Sequence, residues 1–384
     1  MSERLTGTEL SALIRRVFAP TPADRRVAFL VDLPDARTPD HAEWRARREL
    51  AAGWVTELQS VRADLGLETD LVVYPNVAMN NADLPPRVWF AAPATLPADA
   101  AGLDPAAAVP LESVLATHSI LVAPTEFSAT APLKLLAKRY GFRAATMPGF
   151  TLAMIPALRL DYGEVRRRVA IVKALLDRAA GATLRFAVDG REEHTLTLDL
   201  RHRGAHASDG ILDVPGIAGN LPSGEAYIVP YEGEVAGEPS RSSGRLPVQF
   251  GDEVVVYDIE ANRAVRVTGE GAAAADEVHR LASEPAYGNL AELGLGVLAD
   301  FGVAPCGEIL LDEKLGLHVA FGRSDHFGGQ VGAAQFTRPE AVVHIDRVYL
   351  PGLQPRIVAR RVDLFDEAGA VTPLMRDGEY AGIF

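Results

Sequence analysis

The chain predicts an α/β fold in its N-terminal half, a doubly wound and mostly parallel sheet, followed by a β-rich C-terminal half of α+β character. Two patterns carry this expectation. Up to Phe150, short apolar runs alternate with stretches of helical periodicity, the signature of β-α units and a parallel sheet. After Gly181 the dominant period is two, as in half-buried strands. At 384 residues, 48% hydrophobic and 23% charged, the chain is long enough for two domains, expected at 1–160 and 161–384.

The elements follow in order. Glu9 to Phe18 reads as a helix, Arg26 to Asp32 as a buried strand, and Ala42 to Leu65 as one long amphipathic helix. Short strands are expected at Asp70–Tyr74, Val88–Phe90 and Ser119–Ala123, with a loop over the Ala/Pro-rich stretch from Ala91 to Pro110. Thr130 to Tyr140 is a helix, with Gly141 placed to cap its C-terminus. No phosphate-cradling glycine motif follows the first strand; Asp32-Leu33-Pro34-Asp35 puts acids where a phosphate needs free amides. A helix from Tyr162 to Ala179 links the halves. Strands follow at Thr183–Val188, His194–Leu200, Glu253–Tyr257 and Ala264–Val267, then a helix from Ala272 to Glu284.

Composition narrows the function. A formal charge of −13 argues against nucleic-acid or anionic-membrane partners. The single cysteine, Cys306, permits no intramolecular disulfide and no cysteine cluster for structural zinc. The first residues, Met1-Ser2-Glu3-Arg4, lack a basic-then-apolar leader, and no apolar run approaches membrane-spanning length. The expected compartment is the cytoplasm.

The chemistry concentrates near the C-terminus. His344-Ile345-Asp346 places an imidazole and a carboxylate two residues apart in Ala341–Asp346, which otherwise reads as an apolar strand. In a strand these side chains share a face, with Cα atoms roughly 6.5 Å apart, and can converge on one metal ion or a close pair. Burying such groups costs on the order of several kcal/mol unless they are coordinated or satisfy each other. Three further carboxylate or imidazole positions sit in Gly-flanked or apolar surroundings. These are Glu225 in Asn220-Leu-Pro-Ser-Gly-Glu225, Glu292 in Ala291-Glu-Leu-Gly-Leu-Gly296, and His318 after the acidic turn Asp312-Glu313-Lys314. Among the other histidines, His194, His202 and His206 are expected in surface or loop roles. Arg323 and Arg347 lie close in sequence to these positions and are candidates to recognise a substrate carboxylate, although solvent-facing arginines are commoner.

In this order and at these spacings, the four segments resemble the signature of the thermophilic-type metallo-aminopeptidases, the aminopeptidase T and S family. The motif-bearing resemblance covers residues 220 to 346. It implies a two-metal centre that removes N-terminal residues from peptides, with metal ligands at Glu225, Glu292, His318, His344 and Asp346. Glu313 matches an acidic position that is either a further ligand or a general base. The ions implied are two divalent cations, zinc, cobalt or manganese, and the substrate a peptide or small molecule. A homodimer is also implied.

The chain departs from this pattern once. The family carries a tyrosine seven residues after the position of His318, placed to help the tetrahedral intermediate; here that position is Asp325, followed by His326. A phenol donates to a developing oxyanion and an ionised aspartate does not; losing such a donor costs about 2.7–4 kcal/mol. Either His326 takes over, or the reaction is not ordinary peptide hydrolysis, or Asp325 is a plain loop residue. Three readings follow. The first is a hydrolase cleaving an amide bond with a two-metal-activated water, Glu313 moving the proton. The second is a mononuclear Fe(II) ring-cleaving dioxygenase of the dihydroxypyridine type, using His318, His344 and Asp346. The third is a metal-binding relative without turnover.

Overall fold

The computed structural model describes residues 4–384; Met1, Ser2 and Glu3, where the expected lack of a leader begins, lie outside the described residues. The chain forms two compact units, Met1–Glu164 with Gly210–Ser223, and Val165–Asp209 with Gly224–Phe384.

The first unit opens with α1 (Gly7–Phe18), started by a capping box in which Thr6 and Glu9 satisfy each other's amides. Its buried face, Leu10, Leu13, Ile14 and Val17, repeats at helical spacing. Strand β1 (Arg26–Leu33) is buried along nearly its whole length because parallel strands flank it on both sides, β2 (Glu68–Pro75) and β5 (Ile120–Ala123). Between β1 and β2 lie α2 (Ala42–Ser60) and α3 (Arg62–Leu65). One continuous helix was expected here. It breaks at Val61, where the Ser60 hydroxyl donates to the Glu57 carbonyl and the Val61 amide turns to Leu58.

Strands β3 (Arg87–Ala91) and β4 (Val109–Pro110) extend the sheet antiparallel at one edge, and α4 (Leu111–Thr117) leads into β5. Helix α5 (Thr130–Tyr140) ends on Gly141 in the left-handed region, φ 78°. It is followed by β6 (Arg143–Thr146) and the short α6 (Ile155–Leu158). The sheet order is β10-β6-β5-β1-β2-β3-β4, where β10 is Ala218–Asn220. The division at residue 160 therefore misses an excursion: residues 210–223 return to the first unit because β10 pairs in parallel with β6. Asn220 Oδ1 there accepts from the hydroxyls of Thr146 at 2.8 Å and Thr130 at 3.1 Å.

In doubly wound sheets, ligands bind where the strand order reverses, here beyond the C-terminal ends of β1 and β5. That position is filled by the protein itself. Asp32, fully buried, accepts from the amides of Glu126 (2.8 Å) and Phe127 (3.0 Å) and from the Trp44 indole (3.0 Å). The amides that would receive a phosphate are thus occupied by a carboxylate.

Helix α7 (Tyr162–Leu176) leads into the second unit, which is antiparallel throughout. An eight-stranded sheet is built from β7 (Gly181–Val188), β8 (Glu192–Asp199), β12 (Ser243–Phe250), β13 (Glu253–Glu260), β14 (Arg263–Thr268), β18 (Ile357–Phe365), β19 (Val371–Arg376) and β20 (Glu379–Tyr380). A five-stranded sheet contains β9 (His206–Ser208), β11 (Glu225–Ile228), β15 (Leu290–Gly296), β16 (Leu317–Gly322) and β17 (His344–Val348), in the order β17-β16-β15-β11-β9. Helices α8 (Ala272–Ser283) and α9 (Ile309–Asp312) complete the unit. The two sheets meet through Phe321 against Tyr257 (4.9 Å between ring centres) and Tyr349 against Phe186 (4.6 Å). His194, expected at the surface, is instead buried in β8. Among the described residues no helix is long and apolar enough to cross a membrane.

Candidate metal centre

The five-stranded sheet has one face packed by Leu293, Leu295, Val319 and Phe321, and the alternating residues necessarily point the other way. On that second face the register aligns Tyr227, Gly294, His318 and Val348 across β11, β15, β16 and β17. A neighbouring row aligns Glu292, Ala320 and Asp346, and a third pairs Gly322 with His344. Glu225 lies opposite Gly296. Candidate ligand side chains therefore surround a centre of small residues. Gly294 is required here: a Cβ on it would overlap the His318 ring. Gly296 is required for a similar reason, because the backbone of Lys314 passes directly over it. A bulge between Leu290 and Glu292 shifts the register so that Glu292 is presented opposite Ala320.

Strand β17 begins at His344, later than expected, because Pro339–Ala341 forms a single tight turn. His344 and Asp346 share the face as the strand period predicts, with His344 Nε2 3.4 Å from Asp346 Oδ1. Two groups of ligand atoms result, each within 4.8 Å: Glu225, Glu292 and His318, and Glu292, His344 and Asp346. Glu292 belongs to both. Its Oε1 lies 3.2 Å from His318 Nε2 and its Oε2 lies 3.3 Å from His344 Nε2. One carboxylate thus presents one oxygen to each side.

Sequence reasoning quoted Lys314 as part of a motif but assigned it no role. It is buried, with its ammonium 2.5 Å from Glu225 Oε1 and also bonded to Glu313. Glu225 and Glu313 share this buried cation directly, and its charge also reaches Asp346. The titration behaviour follows. Burial raises Glu225, and pushes Glu313 up to about 8, in each case against the pull of Lys314. Burial also opposes charge on Glu292, but hydrogen bonds from His318 and His344 prevail and hold it at about 2. Asp346 is held low against burial by the charge of His344. Burial works to deprotonate the imidazoles, yet the surrounding acids keep His318 at about 9 and raise His344 well above its ordinary value. Glu225 Oε2 is buried without a hydrogen-bond partner. A buried carboxylate oxygen with no donor, in a set of oxygens and imidazole nitrogens, is the chemistry that fits divalent cations.

The remaining candidates are placed less centrally. Asp325 turns to Arg323 (2.6 Å), which lowers it against the effect of burial, and it joins neither ligand group. That pairing also occupies Arg323. His326 stacks on Phe327 at 3.9 Å and lies 5.3 Å from the His344 ring; burial, then the positive charge of His344, pushes it down to about 4. Arg347 points to the opposite face of β17, over the Phe250 ring and bonded to the Tyr287 hydroxyl, so it does not face the centre. His318, His344 and Asp346, the mononuclear set considered from sequence, do not form one ligand group among the described residues; Glu292 stands in both groups instead.

Sequence reasoning missed an aromatic wall beside the centre. Tyr227, two residues after Glu225, stacks on His206 (5.2 Å, 21° between planes) and meets the edge of Phe327 at 4.8 Å. His206 Nε2 in turn holds the Phe327 carbonyl at 2.8 Å. The loop carrying Phe327 is tied down by Glu232, which accepts from Ser324 Oγ (2.6 Å), Asn289 Nδ2 (2.7 Å) and the Gln330 amide. The i to i+2 spacing of Glu225 and Tyr227 was the available signal.

Compared with protein-family models and with curated proteins, the chain matches none. Among the solved structures that match, two do so over 98% of this chain and of their own. One is 2,5-dihydroxypyridine dioxygenase from Pseudomonas putida, with a TM-score of 0.59 and 16% identity. The other is wild-type AmpT from Thermus thermophilus, a thermophilic aminopeptidase, with a TM-score of 0.54 and 16% identity. At this identity the likeness establishes a fold shared with one dioxygenase and one aminopeptidase.

Proposed function

We propose that the protein is a divalent-metal-dependent hydrolase of the aminopeptidase type, cleaving the amide bond of a peptide or small aminoacyl substrate. The observation that carries this reading is the double use of Glu292, whose two oxygens face two separate imidazoles. Glu225, Glu292 and His318 would hold one ion, and Glu292, His344 and Asp346 the other. When bound, two such ions supply Lewis acidity toward a carbonyl and lower the pKa of water. Glu313, at about 8, is poised near neutrality to take a proton from water and return it to the leaving nitrogen. Lys314 offsets part of the negative charge and holds Glu225 Oε1, leaving Oε2 for a cation. His326, neutral at pH 7, lines the approach on the His344 side.

The test begins with metal content: about two equivalents of divalent ion per chain are expected. Less than one, with the fold intact, overturns the proposal. Loaded protein is then expected to release amine from leucyl p-nitroanilide or short peptides without oxygen. The dioxygenase-like fold supports a second reading, a single Fe(II) held by Glu292, His344 and Asp346. Oxygen consumption with a dihydroxylated aromatic ring, and none of the amide cleavage, decides for it.

Metal uptake is expected to release protons and to weaken in acid. His318, at about 9, and the raised His344 carry protons at pH 7 that an incoming ion displaces. Affinity therefore rises with pH through about 9, where His318 gives up its proton, and the raised His344 acts in the same direction. Calorimetry in two buffers of different ionisation enthalpy counts the protons, and none released at pH 7 contradicts the assignment.

A further inference from the structure

As water adds to an amide carbonyl, the carbonyl oxygen gains negative charge and needs a hydrogen-bond donor aimed at it. Most nearby donors are already committed. The Lys314 ammonium is held by Glu225 and Glu313, Arg323 by Asp325, and Arg347 lies on the opposite face. The second unit contains six tyrosines, and five of them donate to a protein acceptor. Tyr231 donates to the Glu238 carbonyl, Tyr257 and Tyr287 to Glu277, Tyr349 to the Pro247 carbonyl and Tyr380 to the Gly296 carbonyl. Tyr227 is the exception among the described residues, although its ring is well packed and buried phenols ordinarily find a partner.

The position of Tyr227 gives that uncommitted hydroxyl a meaning. It stands on the ligand-bearing face, one strand period from Glu225 and opposite Gly294. The His318 ring leans over the same glycine from the other side. The Tyr227 ring is clamped between His206 and Phe327, which are themselves joined, so little orientation remains to be fixed when a substrate arrives.

We infer that Tyr227 is a catalytic residue of the proposed hydrolase, its hydroxyl donating a hydrogen bond to the substrate carbonyl oxygen as that oxygen becomes an oxyanion. The assignment rests on the hydrolase reading. The water oxygen bonds to the carbonyl carbon, and the carbonyl π pair moves onto the oxygen that Tyr227 faces. The proton lost by water passes to Glu313. Collapse restores the C=O bond, breaks C–N, and sends that proton to the departing nitrogen. No external oxidant or reductant is involved.

Tyr227→Phe removes one oxygen and keeps the ring, so the stack and the fold are retained. In the metal-loaded protein its kcat for leucyl p-nitroanilide is expected to fall roughly a hundred- to a thousandfold, with KM and metal content unchanged. Calorimetry supplies a readout independent of turnover. The phosphonic acid analogue of leucine, which mimics the tetrahedral oxyanion, is expected to lose affinity by at least about tenfold, whereas leucine itself binds as before. A Tyr227→Phe protein with wild-type kcat and wild-type phosphonate affinity overturns this assignment and leaves the hydrolase reading standing. A loss in His326→Ala with none in Tyr227→Phe overturns it likewise and gives the donor to His326. A metal-loaded wild type that cleaves none of the peptides or anilides and binds no phosphonate removes the hydrolase reading, and this assignment with it.

Discussion

Replacing Glu292 with glutamine is expected to empty both halves of the metal centre at once. The two ligand groups have only this residue in common, and its oxygens serve different imidazoles. Glutamine keeps the shape but offers one neutral carbonyl oxygen and an amide group that repels cations. The loss of affinity should exceed the roughly 10–100-fold typical of changes outside the ligand set. Turnover should fall by about a thousandfold or more, since each ion contributes several kcal/mol of transition-state stabilisation. Glu225→Gln is the control, because Glu225 belongs to one group alone. It should leave about one equivalent bound. Elemental analysis after dialysis separates the two variants. A Glu292→Gln protein that retains as much metal as wild type refutes the shared-carboxylate reading.

Lys314→Met should give the largest change in stability, and the change should depend on metal. In the metal-free protein Lys314 is the buried cation to which Glu225 and Glu313 both bond. Removing one partner of a buried pair costs about 3–5 kcal/mol, because the other charge is left uncompensated. The sign of the pH dependence follows from the raised Glu225 and from Glu313 at about 8. Groups whose folded pKa lies above the unfolded value favour folding when protonated, and that stability is lost as pH rises through the folded value. The defect should therefore be smallest near pH 4 to 5 and grow as pH rises through about 8, where Glu313 ionises, with the raised Glu225 acting in the same direction. Divalent ions should restore much of the loss by supplying positive charge to the same carboxylates. Urea titrations at several pH values, with and without metal, measure this. A midpoint that ignores both pH and metal contradicts it.

Both predictions concern residues visible in the sequence, but what makes them consequential was not. His344 and Asp346 were legible because a strand places alternate residues on one face, and an imidazole and a carboxylate in an otherwise apolar run are conspicuous. Glu292 stood out for the same reason, among alanine, leucine and glycine. Its membership in two ligand groups depends on the pairing of β15 with β16 and on the bulge after Leu290, neither of which local pattern encodes. Tyr227 follows Glu225 by two residues, but only the cross-strand register places it opposite Gly294. Arg347 appeared close to the ligands because it follows Asp346 directly, and that one-residue offset is what turns it to the other face. In the first unit, the alternation of strands and helices was readable from periodicity. The return of residues 218–220 to pair with β6 is a long-range event that composition does not signal.

The centre is shaped as much by missing side chains as by the ligands. With Gly294 and Gly296 fixed by the ring and backbone lying against them, the bottom of the hollow tolerates no chemical variation. Its rim is different: Tyr227, Asp325 and His326 belong to neither group of candidate ligands. A scaffold of this kind would keep the proposed cation site while the groups around its border vary. New reactions would then arise on it by editing the border of the bowl rather than by recasting it.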